Sequence, residues 1–268
     1  MTRAQMDNAR DLSGLLGGAC VVVTRPAGSG AALARNVRAL GGTPLLLPGL
    51  AVRAVGDDAS ALRALHAARQ AQLCIFTSPA AVRFAFRLLP ALSLPTRAVM
   101  FGIGDGTRTA LARHGLAAHA PSRRADSEGL LALPELADVR GRRIALIGAP
   151  GGRDLIAPTL RRRGAEVDAI HVYERVPPRL TRRHFSALAA AAEPLITLLS
   201  SGEALRNLGA LLPADLLARL RRQALVVSSS RLAALAHTAG FTDVSVADSA
   251  SPRDLLASAS RRLARHRL

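Results

Sequence analysis

The sequence predicts an α/β protein built from two similar doubly wound parallel-sheet units. Three observations carry this. Short continuous apolar runs alternate with amphipathic helical stretches along the chain, as expected of strands buried on both faces of a parallel sheet. The helical stretches repeatedly close on glycine, at "RALGG", "ARHGL", "RRRGA" and "HTAGF", where a left-handed residue ends a helix without steric cost. The chain also repeats itself: "CVVVTRPAGSGAALARNVRALGGTPLLLPGL" overlays "RIALIGAPGGRDLIAPTLRRRGAEVDAIHVY" without a gap, with Val21 on Ile144 and Gly41 on Gly164.

The elements follow in order. "VVVTRPAG" (21–28) reads as a strand running into a polar turn and a helix, and "LLLPGLAVRAV" (45–55) as an extended, proline-punctuated segment. "IFTSPAAV" (75–82) and "MFGIGDGT" (100–107) are two further strand-to-helix turns, and "GTRTALARHGL" (106–116) is the helix after the second. The second copy begins at "LIGAPGGR" (146–153) and passes through "DAIHVYERVPP" (168–178), which overlays 45–55 with Leu50 on Tyr173. It continues with "LLSSG" (198–202), where Ser201 overlays Ser78, and "VVSSSR" (226–231). At a shift two residues longer, Gly115 overlays Gly240 and "SEGLLA" overlays "PRDLLA". The repeat alone allows two divisions of the chain. One is a tandem cut near Arg140–Arg142. In the other, 45–55 and 168–178 cross between units, so that one unit takes both chain ends.

The composition removes several kinds of chemistry. All 36 Lys+Arg positions are arginine and the net charge is +17, so neither a Schiff-base lysine nor a P-loop lysine is present. The excess charge suits an anionic partner. The arginines lie along helices without interleaved aromatics, which argues against nucleic acid. Cys20 and Cys74 sit in apolar runs and read as buried reduced thiols. The seven histidines show no metal-ligand spacing, so no metal is expected. No run of 18 apolar residues predicts a membrane span, and the opening "MTRAQMDNARDLSGLLGGA" lacks the apolar stretch of a signal peptide. A cytoplasmic protein is expected.

The chemistry is therefore sought at the carboxyl ends of the strands, where doubly wound sheets bind ligands. Those ends are uniformly small and polar, as suits an anion site of backbone N–H groups and helix N-termini. The hydroxyls of Ser78, Ser127, Ser201 and Ser229 can add bonds to a ligand, or serve as helix N-caps. "GIGDGT" has the spacing G-x-G-x-G-T, with Thr107 where a dinucleotide fingerprint needs its third glycine. No G-x-S-x-G elbow or catalytic carboxylate pair stands out.

In order and spacing, "VVVTRP", "FTSPAAV", "GIGDGTRTAL", "SEGLL", "GAPGGRDLI", "VYER", "SSGEAL" and "VVSSSRLAALAHTAGF" resemble the uroporphyrinogen-III synthase family in its bacterial form. The resemblance implies two domains joined by a two-stranded linker with the active cleft between them. Residues 1–48 and 177–268 would form one domain, 53–171 the other, and 49–52 with 172–176 the connecting strands. It implies a cofactor-free monomer acting on hydroxymethylbilane, a linear tetrapyrrole octacarboxylate, with neither nucleic acid nor membrane as partner. It implies substrate contacts at Arg25, Thr77, Ser78, Gly104, Thr107, Ser127, Gly152, Arg153, Ser200, Ser201 and Ser229. Tyr173, the one tyrosine, corresponds to a cleft tyrosine that assists loss of the substrate hydroxyl. A non-catalytic polyanion-binding module is the alternative.

Overall fold

A computed structural model of the chain describes residues 14–90, 98–122, 124–151 and 155–266. The opening segment "MTRAQMDNARDLSGLLGGA" falls largely on residues 1–13, outside the described residues. The chain divides into two units, one running to Ala51 and resuming at Val176, the other spanning Val52–Arg175.

In the first unit, β1 (Cys20–Val23), β2 (Thr43–Leu46), β9 (Leu195–Leu199), β10 (Ala224–Val227) and β11 (Val244–Val246) form one sheet in the order β11–β10–β9–β1–β2. Every neighbouring pair is parallel. Successive side chains of a strand point to opposite faces, and both faces here are apolar. Cys20 and Val22 join a layer with Leu205, Leu208, Leu220 and Leu232. Val21 and Val23 join another with Leu33, Val37, Leu255 and Ala259. Helices α1 (Ala31–Ala39) and α11 (Pro252–His266) cover the second layer; α7 (Arg182–Ala189), α8 (Gly202–Leu211), α9 (Ala214–Arg222) and α10 (Ser230–Thr238) cover the first. This two-sided burial is why the strands lack polar alternation. Each fully buried valine or leucine contributes about 2 kcal/mol.

The second unit repeats the plan. Its sheet, β5 (Val99–Gly102), β4 (Leu73–Phe76), β6 (Arg143–Gly148) and β7 (Glu166–His171), is parallel throughout in that spatial order. An isolated parallel bridge from Phe101 to His119 extends it, where the first unit has β11. Helices α2 (Asp58–Ala67), α3 (Pro79–Leu88) and α4 (Asp105–Ala112) pack on one face; α5 (Ser127–Leu131) and α6 (Ile156–Arg162) pack on the other. The repeat glycines behave alike: Gly41 and Gly164 have φ of 81° and 85°, Gly115 and Gly240 of 75° and 89°. All four end helices in the left-handed region, which a β-carbon disfavours. The doubly wound parallel fold expected from the sequence is present in both units.

The run 168–178 serves two sheets. It pairs with β6 as far as His171, breaks at Val172, and resumes as β8 (Tyr173–Val176) in a two-stranded ladder with β3 (Ala51–Ala54). Arg53 Nη2 and Glu174 Oε2 meet across that ladder at 3.0 Å. The unit boundaries fall inside these two strands.

Candidate active site

In the second unit the connection after β6 leads outward to β7, and that after β4 leads the other way to β5. Where windings diverge, the carboxyl ends of the two strands leave a crevice. A cavity of about 510 Å³ lies at this position, lined by Thr77 and Ser78 after β4, the 148–151 turn after β6, Ser127, and residues of the 169–175 run.

Local chemistry shapes each wall. Ser78 is extended and N-caps α3, its Oγ accepting the Ala81 N–H at 2.9 Å, with Pro79 supplying the first helical residue. This satisfies an orphan donor of the helix start. Thr77 Oγ1 donates to Ile147 O at 3.3 Å and ties the β4 end to β6. Gly148 permits this packing, because a β-carbon there would stand 2.3 Å from Thr77 Oγ1.

Tyr173 is only 5% exposed. Its hydroxyl lies 3.0 Å from Ser78 Oγ, and its ring stacks on Phe84 of α3 at 5.6 Å between centroids. The ring is packed into the core and its oxygen is engaged at the cavity wall. His171 and Arg175, two residues to either side, line the same cavity. Arg175 Nη2 donates to Pro150 O at 2.7 Å and braces the glycine turn. Among the described residues no aspartate or glutamate lines the cavity, while Arg161, Arg175 and His171 do. The wall is thus suited to a carboxylate.

Ser127 also lines the cavity. It is not the cap of its helix. Asp126 is, accepting the Gly129 N–H at 2.8 Å. Burial pushes the Asp126 carboxyl up, but the Gly129 N–H and the Arg124 guanidinium outweigh it and hold the group below the usual carboxylate range. Gly104 N-caps α4 and Thr107 is buried in its first turn; neither lines the cavity. A β-carbon on Gly104 would come 2.6 Å from that of Ala125. The glycine is required by a crossing chain, so "GIGDGT" needs no pyrophosphate to explain it.

The remaining expected contacts occupy the equivalent ends in the first unit. Arg25 follows β1 and donates to Ala250 O at 2.5 Å, and burial lowers the pKa of its guanidinium. Ser200 and Ser201 follow β9, the neighbour of β1 at that sheet's switch point. Ser201 caps α8 and Ser229 caps α10, at 3.3 and 3.4 Å. Thr24 Oγ1 donates to Leu198 O at 2.7 Å, joining the β1 and β9 ends as Thr77 joins β4 to β6. Gly152 and Arg153 lie outside the described residues. Sequence reasoning missed Gly148, His171 and Arg175. The alternation in "HVYER" puts His171, Tyr173 and Arg175 on one strand face, a signal that finds the last two of these three.

Two doubly wound units with hydroxyl- and amide-lined strand ends, one holding a cavity lined by arginine and histidine and, among the described residues, by no acid, define a duplicated α/β protein suited to an anionic small molecule. The model of the family described as "Uroporphyrinogen-III synthase HemD" matches residues 31–257. The uroporphyrinogen-III synthase of Escherichia coli (strain K12) is 33% identical over 246 residues, covering 88% of this chain and 98% of that protein. That of Salmonella typhimurium is 34% identical over 247 residues, with the same coverage. The chain belongs to the uroporphyrinogen-III synthase family. Crystal structures of the Helicobacter pylori 26695 protein and of a mutant Thermus thermophilus protein match the fold. Their TM-scores are 0.58 and 0.57 at 14% and 22% identity, covering 91% and 92% of this chain and 98% and 99% of theirs.

Proposed function

We propose that this enzyme of porphyrin synthesis is a carbon–oxygen lyase that closes hydroxymethylbilane to uroporphyrinogen III, with the last ring inverted and water lost. The observation that carries this reading is Tyr173: the only phenol in the chain is held by Ser78 on the wall of a cavity that no acid among the described residues lines. The phenol hydrogen-bonds the departing hydroxyl, and the pyrrole nitrogen lone pair expels it as the C–O bond breaks. The substituted carbon of the last ring attacks the resulting azafulvene to give a spiro intermediate, which fragments and recloses inverted. The proton that leaves with water is restored when the closing ring rearomatises. No electron is transferred, so the balance calls for no redox partner.

The bilane closes unaided to the uninverted isomer, so the protein's task is to hold one geometry and exclude another. Cationic and N–H-bearing strand ends suit the substrate's carboxylates. Thr77, Ser127, His171 and Arg175 in the second unit, and Arg25, Ser200, Ser201 and Ser229 in the first, are the proposed contacts, and Ser78, expected among them, acts here by holding Tyr173. Gly104 and Thr107, at the start of α4, and Gly152 and Arg153, outside the described residues, complete the contacts that the family resemblance implies. A cytoplasmic monomer is part of the same reading. No helix among the described residues is long and apolar enough to cross a membrane.

The test supplies bilane generated in situ and determines the isomer after oxidation. The type III isomer should dominate with protein; type I alone, at the rate without protein, refutes the enzyme and leaves a binding module. Tyr173→Phe should lower turnover about 100-fold with the fold intact, and undiminished turnover removes the phenol from the chemistry.

A further inference from the structure

The hydroxyls of Ser78 and Tyr173 are 3.0 Å apart, and either can donate. The choice decides what the phenol offers a ligand. Each hydroxyl has one proton and two acceptor sites. Ser78 Oγ already accepts the Ala81 N–H, and it stands at the positive end of α3, a ten-residue helix. That field disfavours a second proton pointing at Oγ and polarises the serine's own O–H toward donation. Accepting one hydrogen bond also strengthens donation through the same group. The opposite arrangement spends the phenol proton on Ser78 and turns the serine's proton out instead.

We propose that Ser78 donates to Tyr173, making it a positioning residue that keeps the phenol's proton free to point into the cavity. The spectroscopic part of this inference stands by itself; its catalytic part rests on the proposed role of Tyr173. One helix then serves the phenol twice: its cap orients the hydroxyl, and its Phe84 backs the ring.

The chain has no tryptophan and one tyrosine, so the near-ultraviolet tyrosine band belongs to Tyr173 alone. A phenol that accepts a hydrogen bond absorbs further to the blue, and one that donates absorbs further to the red. Ser78→Ala is therefore expected to move the band of the ligand-free protein to the red. A blue shift, or none, overturns the proposal. Ser78→Gly, which still caps a helix at a cost of a few tenths of a kcal/mol, should show the same red shift, and Ser78→Thr none.

In turnover, Ser78→Ala should lower kcat about tenfold with KM unchanged, and Ser78→Thr should restore it. In a Tyr173→Phe background, Ser78→Ala should change kcat no further. An additive loss there overturns the positioning role and makes Ser78 a direct contact. If Tyr173→Phe alone leaves turnover unchanged, the proposed chemistry fails, while the band shift still decides the direction of the bond.

Discussion

The ring of Tyr173 lies nearly parallel to that of Phe84, with 5.6 Å between centroids and 15° between planes. Phe84 is itself faced by the guanidinium groups of Arg83 and Arg87, at 5.2 and 5.7 Å from its centroid. It is 6% exposed, so removing it opens a cavity behind the phenol. Phe84→Ala is expected to cost about 3 kcal/mol, read as a lowered urea midpoint at constant m-value, and to slow turnover as the ring loses its backing. A midpoint equal to that of the parent protein contradicts this packing.

Gly148 should tolerate no side chain while Thr77 is present. A β-carbon would stand 2.3 Å from Thr77 Oγ1, and the threonine is held by Ile147 O. Gly148→Ala is expected to destabilise by about 1–3 kcal/mol. Thr77→Ala in the same chain should recover much of that loss, because the two atoms compete for one space. Additive costs in thermal unfolding would place the strain elsewhere.

Asp126 predicts a pH dependence of definite sign. Its carboxyl is held below its ordinary value of 3.8 in the folded chain. A group with a depressed folded pKa stabilises above its unfolded pKa, and that stability is lost as pH falls through the folded one. Asp126→Asn keeps a good N-cap but loses the charge. The variant should be less stable than the parent at neutral pH, with the gap closing below about pH 4. Acid titrations of the two proteins followed by circular dichroism give the comparison. A gap that persists undiminished at low pH shows that the charge contributes nothing.

Both thiols should be silent in the folded protein. Burial pushes Cys74 up to about 12 and also raises Cys20, and both are buried and unpaired with each other. The thiolate is the reactive form. A disulfide reagent at pH 8 should therefore find no equivalents in the native chain and two after denaturation. Rapid native reaction would show that one of the cores opens.

Much of this was legible in the sequence because it is written in local patterns. Gly41 and Gly164 mark equivalent helix ends, since a left-handed residue leaves a glycine in the sequence. Ser78 and Ser201, overlaid by the repeat, cap equivalent helices α3 and α8. Other features lie in no local pattern. "DAIHVYERVPP" reads as one extended run, yet its halves belong to different sheets, because pairing partners are chosen by neighbours far along the chain. The shape of Gly148 is set by Thr77, and that of Gly104 by Ala125.

By itself, the sequence determined the doubly wound parallel fold, its duplication, the polar strand ends, the absence of a lysine or metal-ligand motif, and the family. Periodicity, helix-ending glycines and ordered motifs are properties of residues near one another in the chain. Only the tertiary structure decided that Tyr173 is packed on Phe84 with its hydroxyl on Ser78, and that His171 and Arg175 share its cavity. Ser78 and Tyr173 lie 95 residues apart, and nothing local to either specifies a bond that the packing of α3 and β8 creates.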